Sequence, residues 1–198
     1  MFGHPPRYDA RCPACGSNER QRLIVLALQE RVLLRRGDKG LYFTPEPVLA
    51  NYLHARVGEF QSLNLKAPDS IQAPDEAFDF ILASNVLEHA PDDQKALAEL
   101  GRVLHRDGVL VVTVPLIGGW DETYENPPVQ SEDARFEHFG QRNHVRYYGR
   151  DIRARMERAG FDVEERLADG EDSVRYGLIR GDRAYVARRR QAKFALAS

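Results

Sequence analysis

The sequence predicts an open α/β fold, a largely parallel sheet with helices packed on both faces in three α/β/α layers. Two observations carry this. Phe78 to Ala83 is an apolar run broken only by Asp79, the pattern of a strand covered on both sides. From Asp92 the apolar residues change to helical spacing, at Ala96, Leu97, Leu100, Val103 and Leu104, before Val109 to Val114 resumes a buried strand. Such a β-α-β unit places Ser84 to His89 at the carboxyl ends of the strands, where open α/β sheets bind ligands.

The remaining elements follow in order. Met1 to Ala10 reads as irregular. Cys12-Pro13-Ala14-Cys15-Gly16 is a CPxCG knuckle, after which Ser17 or Asn18 caps a helix from Glu19 to about Leu34, with Leu23, Ile24, Ala27, Leu28 and Val32 as its apolar stripe. Leu41-Tyr42-Phe43 is a first strand. A short helix runs from Glu46 or Pro47 to about Ala55, with Val48, Leu49 and Tyr52 turned inward, and Phe60 to Leu65 is a second strand. In the β-α-β unit, Pro91 and the acidic pair Asp92-Asp93 start the helix at the positive end of its dipole. Arg106-Asp107-Gly108 ends it, with Gly108 in the left-handed conformation. Leu116 to Gln141 is a long segment of the kind that forms lids and binding loops. Gly149-Arg150-Asp151 leads into a helix to Arg158, stopped by Gly160. Phe161 to Leu167 is a strand, with Arg183 to Arg189 as its antiparallel partner.

Size and composition bound the function. The 198 residues suit one domain with a sizeable core, and the net charge of -2 gives no cause to expect nucleic acid as a partner. The short basic run Arg188-Arg189-Arg190 reads as a solvated strand end. No apolar stretch reaches the ~20 residues needed to cross a bilayer, and Met1 to Tyr8 has no apolar core of a secretory signal. The expectation is a cytoplasmic protein with neither membrane nor nucleic acid as partner. Two cysteines three residues apart do not make a secreted disulfide framework.

The residues from Phe78 to Pro115, which read FDxIxxxxVLEHxPDDxxALxELxRVLxxxGxLxxxVP, resemble the second half of class I S-adenosylmethionine-dependent methyltransferases. Phe139-Gly140-Gln141, His144-Val145-Arg146, Tyr148-Gly149-Arg150-Asp151 and Ala159-Gly160-Phe161 resemble one bacterial branch of them. In that branch a short APE sequence replaces the glycine-rich first motif, matched here by Phe43-Thr44-Pro45-Glu46-Pro47. The resemblance implies a Rossmann-like sheet. That fold spends a helix and a third strand between its second and fourth strands, and the segment from Lys66 to Ala77, with two prolines, is too short to supply both. A shortened sheet is therefore predicted. The chain divides into an N-terminal knuckle and helix, 1–36, and a methyltransferase-like α/β domain, 37–198, with 115–141 as a lid-like loop.

The resemblance also implies a small-molecule acceptor and S-adenosyl-L-methionine as methyl donor. Thr44, Pro45 and Glu46 then approach its methionine end, Asn64 stands where an acid binds the ribose, and Ser84, Asn85 and Glu88 line the opposite wall. Asn64 offers hydroxyls a poorer two-point contact than a carboxylate. The acid that meets the adenine lies on the deleted strand, with Asp69 and Asp75 as the nearest substitutes. Glu88-His89 pairs a carboxylate with an imidazole at the strand-to-helix elbow, which suits catalysis by His89 or plain packing of that elbow. The polar run His138 to Tyr148 suits an acceptor with phosphate, carboxylate or sugar hydroxyls, or else a brace for the sheet edge. Within it His144 is the first candidate for a general base, and Arg146 for an anion anchor beside His138, Gln141 and Tyr147. The branch commonly has Asp before the histidine; here it is Asn143. Cys12 and Cys15 make half of a zinc ribbon, with His4 a third candidate ligand; a reduced, metal-free knuckle is the first reading and zinc the second. Two functions stand open, methyl transfer to a small-molecule or sugar-containing acceptor, and a non-catalytic binding or scaffold protein that keeps the fold with a degenerate donor site.

Overall fold

The computed structural model describes residues 10–63 and 68–191. Helix α1 (Glu19–Arg31) begins with a reciprocal cap: Asn18 accepts the Gln21 N–H at 2.9 Å, and the Gln21 side chain accepts the Asn18 N–H at 3.0 Å. It ends before Leu34, because Val32 turns extended and Leu33 beyond it is exposed, leaving no inward contact to prolong the helix. Strand β1 (Lys39–Phe43) follows, then α2 (Pro47–His54), β2 (Glu59–Leu63) and β3 (Phe78–Ser84). In α2 the fully buried pair is Leu49 and Leu53, one turn apart, with Val48 and Tyr52 only half-buried.

Helix α3 (Asp93–Val103) is capped by Asp92, whose side chain accepts the Lys95 N–H at 3.0 Å. Asp93 has a different task from the one its place in the first turn implies. It is buried, and takes the Tyr148 hydroxyl at 3.1 Å and the Arg155 guanidinium at 2.9 Å. Strand β4 (Leu104–Thr113) follows at once, since Leu104 is already extended. The expected left-handed Gly108 is therefore corrected: it has no positive φ. It is glycine for closeness, because a Cβ there would lie 2.8 Å from the Leu104 side chain and 2.9 Å from the carbonyls of Asp79 and His105. The chain bulges at that point, where β3 and β4 pair Phe78 with Leu104 but Phe80 with Val109.

The long segment after β4 is structured. It carries β5 (Tyr124–Glu125), α4 (Glu132–Phe139) and then β6 (Arg146–Tyr147), with β5 and β6 forming a small antiparallel ribbon. Arg155 ties this ribbon down by bonding Glu125 at 3.0 Å as well as Asp93. Helix α5 (Ile152–Arg158), β7 (Phe161–Leu167), α6 (Gly170–Arg175) and β8 (Arg183–Arg189) complete the described chain. No apolar pattern in the sequence marks α6, a polar turn with no buried residue.

The main sheet has six strands in the order β2-β1-β3-β4-β8-β7, with β8 antiparallel to both neighbours and the others parallel. No strand lies beyond β2 among the described residues, so the sheet is short at the predicted margin. Side chains of β3 alternate between two cores. Ile81 and Ala83 pack with α3 and α5, and Phe80 and Leu82 pack with α1 and α2, giving three layers. No helix among the described residues is long and apolar enough to cross a membrane.

Leu100 lies wholly inside the α3-side core. Leu100→Ala is expected to cost about 2–5 kcal/mol, read as a lower urea midpoint at unchanged m-value.

Candidate active site

The strand order reverses between β1 and β3: the chain leaves β1 toward β2 on one side, while β3 and β4 lie on the other. The carboxyl ends of β1 and β3 thus flank the switch-point crevice of an open α/β sheet. Both strands leave through non-glycine residues with left-handed backbone, Thr44 at φ 50 and Asn85 at φ 53. Thr44 and Pro45 are exposed and Glu46 is half-buried, its N–H donated to the Tyr42 hydroxyl at 3.3 Å. On the facing wall the Ser84 hydroxyl meets Thr113 at 3.1 Å, and Asn85 donates its N–H to the Thr113 carbonyl at 2.8 Å.

A residue the sequence reading missed joins these walls. Arg20, from the first turn of α1, donates to Glu46 at 2.9 Å and to the Ser84 hydroxyl. No local pattern marks it, since only the packing of α1 across the sheet brings it to the crevice. Asn64 lies outside the described residues. Asp75 bonds Arg102 at 2.6 Å and Asp69 faces Lys95 at 3.8 Å, so both candidate adenine acids already have cations.

Beyond Asn85 the chain makes one 3-10 turn, Leu87–His89. Glu88 is 0% exposed, and neither carboxylate oxygen has a hydrogen-bond partner. Burial pushes its carboxyl up to about 8, against the pull of its own backbone N–H, Arg20 and Arg146. His89 is half-buried; its Nδ1 faces the Asn143 carbonyl at 3.1 Å. His144 is 3% exposed, and burial, with His89 beside it, pushes its imidazole down to about 4. The two rings meet edge to face with centroids 4.8 Å apart. The structure therefore brings together both expected catalytic histidines and Glu88.

Arg146 requires a correction. It is 3% exposed, and its guanidinium donates to the carbonyls of Leu87 at 2.7 Å, Ala90 at 2.6 Å and Pro91 at 3.1 Å, and to Glu125 at 2.7 Å. Its donors are spent on the elbow and on Glu125, so it holds the Glu88–His89 turn in place and has none left for an anionic ligand. The other expected acceptor residues lie further out. His138 is exposed and bonds the Tyr124 hydroxyl at 2.7 Å, Gln141 is exposed, and Tyr147 is half-buried. Aromatic rings run on from His144 to Tyr147 (centroids 6.5 Å) and from Tyr147 to Trp120 (6.5 Å), with Tyr124 6.3 Å from Trp120. Trp120 is 42% exposed, so the wall ends in an open indole face.

The cysteine knuckle is a tight turn, with Gly16 donating its N–H to the Cys12 carbonyl at 2.8 Å. Both thiols are free, and Cys15 contacts the Ser17 hydroxyl at 3.1 Å, which lowers its thiol from the ordinary value. Among the described residues no carboxylate or imidazole joins the pair to make a three-donor metal group; His4 lies outside them. A surface groove of about 1090 Å³ lies at the opposite end of the sheet, among Arg188, Arg189 and Arg190. These arginines are already paired, with Glu164, Glu76 and Asp162.

A family model described as a methyltransferase domain matches residues 19–166. No curated protein matches the chain. Among solved structures, the YcgJ protein of Bacillus subtilis is similar at 13% identity, covering 87% of this chain and 100% of its own, with a TM-score of 0.54. The phosphoethanolamine N-methyltransferase 2 of Haemonchus contortus, solved with S-adenosyl-L-methionine, is similar at 13% identity over 88% of this chain and 53% of its own, with a TM-score of 0.58. The [4+2]-cyclase SpnF is similar at 18% identity over 87% and 82%, with a TM-score of 0.55. At these identities the likenesses establish the fold.

Arg146→Met would leave the Ala90 and Pro91 carbonyls without their side-chain donor, the Leu87 carbonyl with only the Ala90 N–H, and Glu125 without its closest cation. The expected loss is about 3–5 kcal/mol of unfolding free energy, measured by chemical denaturation.

Proposed function

We propose, since the chain belongs to the methyltransferase domain family, that it transfers a methyl group from S-adenosylmethionine to a small-molecule or sugar-containing acceptor. The observation that carries this reading is the convergence of Glu46, Ser84 and Arg20 at the β1/β3 crevice. These groups fit the donor's amino-acid end, since a planar guanidinium pairs a carboxylate in two-point fashion and Glu46 can meet the ammonium. Thr44, Pro45 and Asn85 supply the backbone rims. The APE-like stretch around Glu46 and the FGQ and HVR segments support placement in the bacterial branch named above.

When bound, the donor supplies a methyl group on a positively charged sulfur. The acceptor heteroatom bonds to the methyl carbon as the carbon–sulfur bond breaks and its electron pair returns to sulfur. The protein must align the two and receive a proton from an acceptor that carries one. His144, with His89 against it, stands on the acceptor side and is the candidate to take that proton. His138, Gln141 and Tyr147, with Trp120 and Tyr124, would face the acceptor. An aromatic wall ending in an exposed indole suits the apolar face of a sugar ring, which is what favours a sugar-containing acceptor.

One observation favours the second reading, a binding or scaffold protein: Arg20 already spans the crevice from Glu46 to Ser84. The cyclase among the neighbours makes the same point about fold and chemistry, since a shared scaffold does not fix a reaction. Calorimetry separates the readings. Methyl transfer requires S-adenosylmethionine or its demethylated product to bind in the micromolar range, ~ -8 kcal/mol. Arg20→Ala and Glu46→Ala should each weaken that binding by about tenfold or more, corresponding to one lost charge-assisted contact. If Arg20→Ala instead tightened binding, the guanidinium would be a plug. His144→Ala is expected to lower turnover with donor affinity retained.

A further inference from the structure

The turn after β3 holds more unsatisfied donor capacity than methyl transfer alone explains. Both oxygens of Glu88 and Nδ1 of His144 are buried without a partner. One donor atom from each of Glu88, His89 and His144 lies within 4.8 Å of the other two. A buried carboxylate in this condition carries a large desolvation penalty. The nearby cations offset it only in part and donate no hydrogen bond to the carboxylate, because Arg20 is engaged by Glu46 and Arg146 by Glu125 and three carbonyls. A proton on Glu88 would remove the charge but would still leave its oxygens without a partner: the nearest imidazole nitrogen, Nε2 of His144, is 4.0 Å away, beyond hydrogen-bond reach.

We propose that Glu88, His89 and His144 form a binding site for a divalent first-row transition-metal ion. Two imidazoles and one carboxylate suit Zn²⁺, Fe²⁺ or Mn²⁺, whereas Mg²⁺ and Ca²⁺ favour all-oxygen shells. The supporting contacts are those a metal site needs. The Asn143 carbonyl, 3.1 Å from Nδ1 of His89, fixes the proton there and leaves Nε2 with its lone pair free. The Val145 N–H holds the Glu88 carbonyl at 2.9 Å, and Arg146 holds the rest of the turn. Metal bonds of about 2.0–2.2 Å ask the three side chains to close on the ion by roughly an ångström. Three protein ligands would leave coordination positions for water or substrate.

The test uses the full chain, stripped with chelator, in a Cys12→Ser/Cys15→Ser background so that the knuckle contributes no thiolate. Calorimetric titration with Zn²⁺, and with Co²⁺ as a spectroscopic probe, should show one ion per chain and visible Co²⁺ bands without near-ultraviolet thiolate charge transfer. Glu88→Gln, which keeps the shape, and His144→Ala should each weaken binding on the order of 100-fold. Zn²⁺ should raise the thermal midpoint of the parent but not of Glu88→Gln, which also controls for folding. The proposal is overturned if the cysteine-free background binds no ion, if Glu88→Gln and His144→Ala bind as the parent does, or if Mg²⁺ competes with Zn²⁺ at equal concentration. These readouts need no methyl transfer, so they stand or fall apart from the donor-binding experiments. A further arm rests on the methyl-transfer reading. There His144 would be a ligand and not a base, so chelator should abolish turnover and Zn²⁺ or Mn²⁺ should restore it; full activity without metal would return His144 to the base role.

Discussion

The arrangement of this crevice depends on one buried guanidinium. Arg146 reaches from the small β5/β6 ribbon under the turn that follows β3 and gathers the carbonyls of Leu87, Ala90 and Pro91. A single 3-10 turn cannot satisfy its own carbonyls, and this one runs straight into the capped start of α3. The cation does what a longer helix would do for itself. Because Glu125 neutralises it, and Arg155 links Glu125 to Asp93, the ribbon, α3 and α5 are fixed to the same point. The positions of Glu88, His89 and His144 all follow from that knot.

The fold was more legible in the sequence than the site. Phe78 to Ala83 and the helical stripe from Ala96 to Val103 are burial patterns, and burial is what residue types report. The short span from Lys66 to Ala77, set against the fold that the resemblance implies, predicts a missing strand, and none lies beyond β2 among the described residues. The misses have physical causes. Gly108 reads as a helix stop, yet it serves a close approach of backbones that no local pattern records. Arg146 reads as a free cation because a sequence shows charge but not which carbonyls surround it. Arg20 sits on an ordinary amphipathic helix, and its place beside Glu46 and Ser84 exists only once α1 has packed across β1 and β3. His89 and His144, by contrast, stand out in the sequence as imidazoles suited to base chemistry, and the fold sets their rings 4.8 Å apart.

The shortened sheet alters what the crevice can offer. With β2 at the margin among the described residues, the crevice lacks the side chains a further strand would bring, and Asp69 and Asp75 are committed to Lys95 and Arg102. The margin itself is short and carries Glu59, Gln61 and Ser62 exposed, a composition that discourages edge-to-edge pairing between chains. The insertion after β4 compensates on the other side by building an aromatic wall that the bare sheet lacks.

Thr44 and Asn85 make the two exits from the sheet in a conformation that glycine would adopt more cheaply. Their side chains restrict the unfolded chain and leave each exit fewer ways to bend than a glycine-rich loop has. The crevice is therefore bounded by hard corners at both strand ends. A ligand entering there must match a shape already set, and adaptation is left to the side chains, Arg20 first among them.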